Sequence, residues 1–180
     1  MKIQKLAAAA VTGAAYAALT VLLAPISYGP VQFRISEALC ILPAFMPCTA
    51  WGLAVGCAIA NFLSAYGLPD IVFGSLATLG SGLCAAWLGR SGAHPLPVWR
   101  SVAICLMPVA WNAPVVGAVI AWSTVPTAFW RGFALYGMQI GLEELVVMLA
   151  VGLPLLRILP RFEPFMRLLK VWHCQAISAN

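Results

Sequence analysis

The chain consists of long apolar stretches joined by short polar connections. A membrane-spanning helix needs about 20 apolar residues. One stretch, residues 38–62, is too long for a single helix and has Pro47 at its middle, which predicts a helical hairpin with its turn at residues 46–49. The pattern predicts six membrane-spanning helices in a single domain over 1–180, at approximately residues 6–24, 36–47, 49–64, 71–89, 101–122 and 129–158, followed by a basic tail over 159–180.

Composition places this bundle in a membrane. Hydrophobic residues make up 63% of the 180 residues and charged residues only 8%, which is too little polar surface for a water-soluble globule. Lys2, Lys5 and the alanine-rich stretch after them also resemble a cleavable signal peptide. That stretch is longer than a typical signal-peptide core, so we favour a retained first helix. The expected fold is an all-α integral membrane protein.

Basic residues in the connections predict the orientation. With both termini on one side, that side collects eight basic residues and the other only Arg34 and Arg131, so the termini are predicted to be cytoplasmic. The basic residues behind the net charge of +5 are then expected to bind anionic lipid headgroups. No nucleic-acid partner is expected. The eight are Lys2, Lys5, Arg90, Arg100, Arg157, Arg161, Arg167 and Lys170.

The six cysteines do not indicate a metal site or a disulfide framework. They show no paired CxxC spacing, and five of them lie in or beside predicted spans, which is typical of small apolar packing residues. No metal and no cofactor is expected. The cysteines are Cys40, Cys48, Cys57, Cys84, Cys105 and Cys174.

Two adjacent acids interrupt the last apolar stretch. A carboxylate at bilayer depth costs about 2 to 3 kcal/mol even on insertion scales, so Glu143 and Glu144 indicate a functional site. Gln139 and Glu143 share one helix face, whereas Glu144 points about 100° away, beside Gly137 and Gly141. Because glycines let a neighbouring helix approach closely, Glu144 is predicted to reach into the bundle.

Other polar residues in or beside the spans are candidates for binding, and each also has a structural interpretation. Arg34 and Glu37, three residues apart, suit an interfacial salt bridge. Asp70 follows Leu68 and Pro69 and suits an N-cap for the helix starting at residue 71. Asn61 and Asn112 suit hydrogen bonds that tie helices together.

The first helix carries a face of small residues. Such a face allows either internal helix packing or docking of a partner protein, and spacing alone slightly favours internal packing. Its members are Ala10, Ala14 and Ala18 at four-residue spacing, with Gly13 and Ala17 beside them.

Several stretches resemble the QueT family of queuosine precursor transporters. The longest is residues 24–39, APISYGPVQFRISEAL, and two further blocks are 56–61, GCAIAN, and 68–79, LPDIVFGSLATL. The resemblance continues in ELVV at 144–147 and GLPL at 152–155, and so covers roughly residues 6 to 158. Glu144 fits the family pattern better than Glu143, because the family often has a small residue at the latter position.

This resemblance implies an S component of an energy-coupling factor (ECF) transporter, a six-helix subunit that captures its substrate outside the cell and has no enzymatic activity. The implied partners are a transmembrane T subunit and two cytoplasmic ATPase subunits in a bacterial cell membrane. Under this interpretation the small-residue face of the first helix docks the T subunit.

The implied substrate is a 7-deazaguanine, taken up as a queuosine precursor. Its guanine-like edge has adjacent N–H donors that a carboxylate can accept as a pair, so Glu144 or Glu143 is expected there. A cationic aminomethyl substituent would be bound by Glu37 or Asp70. The remaining expected contacts are amides from Asn61, Asn112 and Gln139, with Arg34 completing the set.

Aromatic residues are expected to stack on the base, with Trp111, Tyr28 and Phe33 as candidates. Residues 27–32 are expected to form a lid. The sequence leaves open which deazaguanine is bound, and an S component for another vitamin or nucleobase is an alternative. A membrane-embedded enzyme that uses the paired acids with Arg131 or Arg34 is a second alternative, although no catalytic motif supports it.

Overall fold

The computed structural model describes residues 2–28, 33–90, 96–166 and 169, and the regular elements within these ranges are helical. Arg167, Lys170, Cys174 and most of the predicted lid, residues 29–32, lie outside them. The α-helices are α1 (Lys2–Leu22), α2 (Ala24–Ser27), α3 (Thr49–Asn61), α4 (Ser75–Gly89), α5 (Val98–Thr124), α6 (Phe129–Val147) and α7 (Leu153–Ile158). Three 3-10 helices (Ile35–Ala44, Pro126–Ala128 and Leu159–Arg161) and two π-helical turns (Asp70–Gly74 and Met148–Gly152) complete the described elements.

The 3-10 helix Ile35–Ala44 lies at the centre of the bundle. It packs against α1, α3, α4, α5 and α6, and most of its side chains are buried. The helical structure is interrupted between this helix and α3, where Pro47 lies. This is the turn that the hydrophobic pattern predicts. The first arm of the hairpin is thus a 3-10 helix, which a hydrophobic pattern does not distinguish from an α-helix.

The exterior of the bundle is apolar. On α3 the exposed large side chains recur every three or four residues, and α6 carries an equivalent stripe, so each helix turns a hydrophobic face outward. The two stripes are Trp51, Val55, Ile59 and Phe62 on α3, and Leu135, Met138, Leu142 and Val146 on α6. An apolar exterior with buried polar side chains is the arrangement of a multi-pass membrane protein.

Three helical stretches are long and apolar enough to cross a bilayer: Ile3–Leu22, Asp70–Gly89 and Val98–Thr124. The hairpin arms Ile35–Ala44 and Thr49–Asn61 are apolar but shorter, and the last helical stretch carries two acids within it. The count of six spans and the cytoplasmic position of the termini therefore stay predictions.

Helix α1 packs against α3 through glycine backbones. A Cβ atom at Gly13 would overlap the backbone of Gly52, and a Cβ atom at Gly56 would overlap the backbone of Gly13. Gly13 therefore belongs to an internal contact and is not available to a partner. On the other side of α1, Ala10, Ala14 and Ala18 are exposed, with Ala17 half-buried between the two faces.

Helices α5 and α6 approach each other in the same manner. A Cβ atom at Gly117 would lie 2.8 Å from the Cα atom of Gly137, and one at Gly137 would lie 3.2 Å from the carbonyl oxygen of Ala113. The expectation that Gly137 allows a close helix neighbour is confirmed. The result brings the polar residue Asn112 of α5 next to α6.

Candidate functional site

A small cavity lies between the central 3-10 helix, α5 and α6. Four of its six lining side chains are polar or charged, although it is buried in an otherwise apolar bundle. The first of them, Arg34, immediately precedes the 3-10 helix. The lining residues are Arg34, Glu37, Asn112, Val116, Ile140 and Glu144.

Glu144 enters the cavity from α6 and is paired with an amide from α5. The Asn112 Nδ2 atom donates a hydrogen bond of 2.7 Å to Glu144 Oε1, and both side chains are only 6% exposed. The close glycine contact between the two helices brings these residues within reach of each other. The prediction that Glu144 points into the bundle is confirmed.

Glu37 reaches the cavity from the 3-10 helix and is held by two neutral donors. The Tyr16 hydroxyl of α1 donates to Glu37 Oε1, and the Cys40 thiol donates to Glu37 Oε2 at 3.1 Å. Both donors are fully buried. The carboxylate is therefore fixed in place by hydrogen bonds from two sides.

The interpretation of Arg34 and Glu37 as a salt bridge is wrong, because Arg34 forms its ion pair with Asp70. The Arg34 Nη2 atom lies 3.6 Å from Asp70 Oδ2, with 10% and 0% of the two side chains exposed. Both acids are buried, but the two oxygens of Glu37 already accept hydrogen bonds from Tyr16 and Cys40.

Asp70 is also not the N-cap that its position suggested. Helical backbone conformation already begins before it, at Leu68, and its carboxylate Oδ2 instead accepts a 2.5 Å hydrogen bond from the Ser64 hydroxyl. Its backbone carbonyl accepts a 2.9 Å hydrogen bond from Asn61 Nδ2. Asp70 and Asn61 thus form a supporting layer behind Arg34, joining the end of α3 to the first turn before α4.

Several predicted site residues lie elsewhere. The Trp111 ring packs over Gly80 of α4. Gln139 Nε2 donates a 3.0 Å hydrogen bond to Glu143 Oε1, which confirms that these two share a helix face, and neither side chain lines the cavity.

The two candidate aromatic residues near Arg34 also lie outside the lining. The Tyr28 hydroxyl donates to the Ala60 carbonyl at 2.6 Å, and the Tyr28 ring lies 5.9 Å from the guanidinium carbon of Arg34, a cation–π distance. Phe33 donates its backbone N–H to the Ile26 carbonyl. Tyr28 therefore contacts Arg34 and does not line the cavity itself.

Five residues of the site and its support were not predicted: Tyr16, Cys40, Ser64, Val116 and Ile140. Tyr16 carried a usable signal, because it is the one aromatic residue of the alanine-rich helix α1, and a tyrosine hydroxyl that becomes buried needs a partner. Val116 follows Asn112 by four residues and Ile140 precedes Glu144 by four, so each shares the helix face of its polar neighbour. No sequence signal distinguishes these two from other apolar residues, nor Ser64 from other loop serines.

Some polar atoms around the cavity lack a hydrogen-bond partner. They include Nε and Nη2 of Arg34, Oδ1 of Asp70 and Oδ1 of Asn61, all fully buried. Buried polar groups are normally hydrogen-bonded, so unpaired atoms in one cluster indicate a place where a polar ligand can bind. Among the described residues no cluster of His, Cys, Asp and Glu forms a candidate metal site.

The cavity is nevertheless small. Its volume is about 30 Å³. Pockets for small organic ligands have volumes of about 300 to 1,000 Å³. The site is therefore closed in this conformation, and a ligand larger than water requires the surrounding elements to separate.

A protein-family model matches most of the chain. The family model described as "QueT transporter" matches residues 6–161. A curated relative, "Queuosine precursor transporter QueT" of Lactococcus lactis subsp. cremoris (strain MG1363), is 42% identical over 72 residues. That alignment spans 39% of this chain and 42% of the relative's length, and no solved structure gives a significant match. The family match includes the central 3-10 helix and the helices that supply the cavity. Because this match covers most of the chain, the chain belongs to the QueT transporter family.

Proposed function

We propose that this protein is the substrate-capturing S component of an ECF transporter and that it binds a queuosine precursor, a 7-deazaguanine base, in the cavity between the 3-10 helix, α5 and α6. The observation that carries the proposal is the buried pair of Glu144 and Asn112 in a member of a transporter family. An ionisable side chain buried in a membrane bundle is energetically costly, so its presence there supports a functional role.

The chemistry of the cavity suits the edge of a guanine-like base. Such an edge has adjacent ring and exocyclic N–H donors and a carbonyl acceptor. The Glu144 carboxylate accepts N–H donors, whereas the Arg34 guanidinium, with two nitrogens lacking hydrogen-bond partners, can donate to the carbonyl. Val116 and Ile140 supply apolar contact for the flat ring.

The rest of the transporter is proposed from the family relationship. The substrate-binding subunit has six spans and cytoplasmic termini, a transmembrane T subunit docks on the exposed alanines of α1, and two cytoplasmic ATPase subunits hydrolyse ATP. Exposure of Ala10, Ala14 and Ala18 on the side of α1 away from α3 supports this placement of the T subunit. The protein itself catalyses no reaction in this proposal.

The decisive experiment compares two neighbouring acids of equal charge. Glu144→Gln keeps the volume but replaces a charged acceptor, so the affinity for 7-deazaguanine bases should fall at least about tenfold, the scale of a buried hydrogen bond to a charged group. The matched control is Glu143→Gln, one residue away and outside the cavity lining, which should change affinity less than about twofold. Calorimetric titration of the purified full-length protein measures both.

Equal affinity in wild type and in a folded Glu144→Gln variant would remove this residue from the site. Tight binding of a different vitamin or nucleobase, with no binding of any deazaguanine, would favour the alternative that the protein is an S component for another substrate.

A further inference from the structure

The charges around the cavity are unbalanced. Three buried acids (Glu37, Glu144 and Asp70) face one buried cation, Arg34. Asp70 lies behind the cavity and forms the ion pair with Arg34. Arg34 lines the cavity together with Glu37 and Glu144, but its ion pair is with Asp70, so the acids around the cavity outnumber the single cation.

Neutral groups are the hydrogen-bond partners of both cavity acids. Glu37 accepts from the hydroxyl of Tyr16 and the thiol of Cys40, and Glu144 accepts from the amide of Asn112. The ion pair that the structure shows beside the cavity joins Arg34 to Asp70. Burial of a carboxylate without a cation carries a large desolvation cost, so a positively charged ligand gains affinity here.

The two acids also differ in their surroundings. Glu144 lies beside the amide of Asn112. The carboxylate supplies acceptors and the amide supplies a donor, which is the combination that the edge of a guanine-like base needs. Glu37 instead accepts from a hydroxyl and a thiol on its two sides, an arrangement that holds its carboxylate in place. A point charge suits a compact ammonium group.

We propose that the ligand is bound as a cation, a 7-deazaguanine with a protonated amine on its side chain, and that Glu37 is the residue that selects for the charge. This inference rests on the proposed function, since it assumes a deazaguanine in the cavity. Glu144 binds the guanine edge and Glu37 binds the ammonium. The neutral nitrile precursor, which has no ammonium, is then a poor ligand.

The test titrates the purified full-length protein with three bases: the aminomethyl base and queuine, both cationic, and the neutral nitrile. In the wild type, at least one cationic base should bind about tenfold or more tightly than the nitrile, the scale of a hydrogen bond between charged groups. The tighter of the two cationic bases identifies the substituent that the site accepts.

Glu37→Gln should remove the selectivity. The affinity for the cationic base should fall to within about threefold of that for the nitrile, because the charge contact is lost. Glu143→Gln is the matched control and should retain the wild-type ratio between cationic and neutral bases.

The failures are distinguishable. Equal wild-type affinity for the nitrile and the cationic bases overturns the inference but leaves the proposed function in place, and this comparison decides the matter even if Glu37→Gln does not fold. Charge selectivity that persists in folded Glu37→Gln overturns the role of Glu37. Absence of binding by all three bases to a folded protein overturns the proposed function together with the inference.

Discussion

Two helix pairs in this bundle are joined by glycines, and they differ in what the contact accomplishes. Between α1 and α3, the backbones of Gly13, Gly52 and Gly56 are in contact. Between α5 and α6, Gly117 and Gly137 are in contact in the same way. Beyond the second contact, however, lies the hydrogen-bonded pair formed by one residue of each helix, Asn112 and Glu144.

The difference shows that a contact between small residues sets the distance between two helices. The neighbouring side chains then determine whether that distance serves packing alone or also a polar site. In the first pair close approach secures the packing of α1. In the second pair it also sets the separation of two polar side chains that line a cavity. A substitution at a glycine should therefore act mainly on stability in the first pair, which reaches the cavity only through Tyr16, and on stability together with ligand affinity in the second.

The largest effect is expected at Gly52 in the first pair. Gly52→Ala places a methyl group against the backbone of Ala9, where no flexible side chain can move aside. We expect destabilisation of about 3 kcal/mol, at the upper end of the range for overpacking. Thermal unfolding in detergent measures the loss, and the fraction that remains folded should bind ligand with wild-type affinity.

A smaller loss of stability, joined to a loss of affinity, is expected at Gly117. The Cβ atom added by Gly117→Ala would lie 2.8 Å from the Cα atom of Gly137 and so pushes α6 away from α5. We expect destabilisation of about 1 to 2 kcal/mol and an affinity reduced about tenfold, as Asn112 and Glu144 separate. Calorimetric titration and thermal unfolding on the same sample give both values.

Gly141→Ala is the matched control for this prediction. Its added Cβ atom would meet the Ala113 methyl group at 3.4 Å, an ordinary contact, so stability and affinity should stay close to those of the wild type. A Gly117→Ala variant with full affinity would contradict the link between helix distance and site geometry.

The smallest effect on the protein alone is expected at Ala14, the exposed neighbour of Gly13. Ala14→Leu should change stability by less than about 0.5 kcal/mol, as is usual for surface positions, and leave ligand affinity unchanged. Recovery of the T subunit in a pull-down should fall, because a larger side chain disrupts close docking. Ala134→Leu, at an exposed alanine on α6, is the control; equal recovery of the T subunit with both variants would contradict docking on α1.

The fold was predictable where hydrophobicity and proline act locally. Pro47 indicated the break between the central 3-10 helix and α3, and the apolar stretches indicated the long helices. The 3-10 conformation of Ile35–Ala44 was not predictable, because hydrophobic composition is similar in both helix types. The glycine contact of α1 was also ambiguous, since Gly13 and Ala14 are both small, and only the packing shows which one faces α3.

The site was predictable for residues whose polarity has no local explanation. Glu144, Asn112, Glu37 and Arg34 are such residues, and they line one cavity. Their pairing was not predictable, because it depends on distances between helices far apart in sequence. Asp70 illustrates the point: its local sequence suggested a helix cap, whereas its carboxylate pairs with a residue 36 positions earlier.

The small volume of the cavity has a kinetic consequence. Under the proposed function, a base that does not fit the site can enter only after the bundle opens, so the association rate is limited by how often opening occurs and lies below the diffusion limit. Dissociation requires the same opening. Retention of the ligand is then governed by the lifetime of the unopened state.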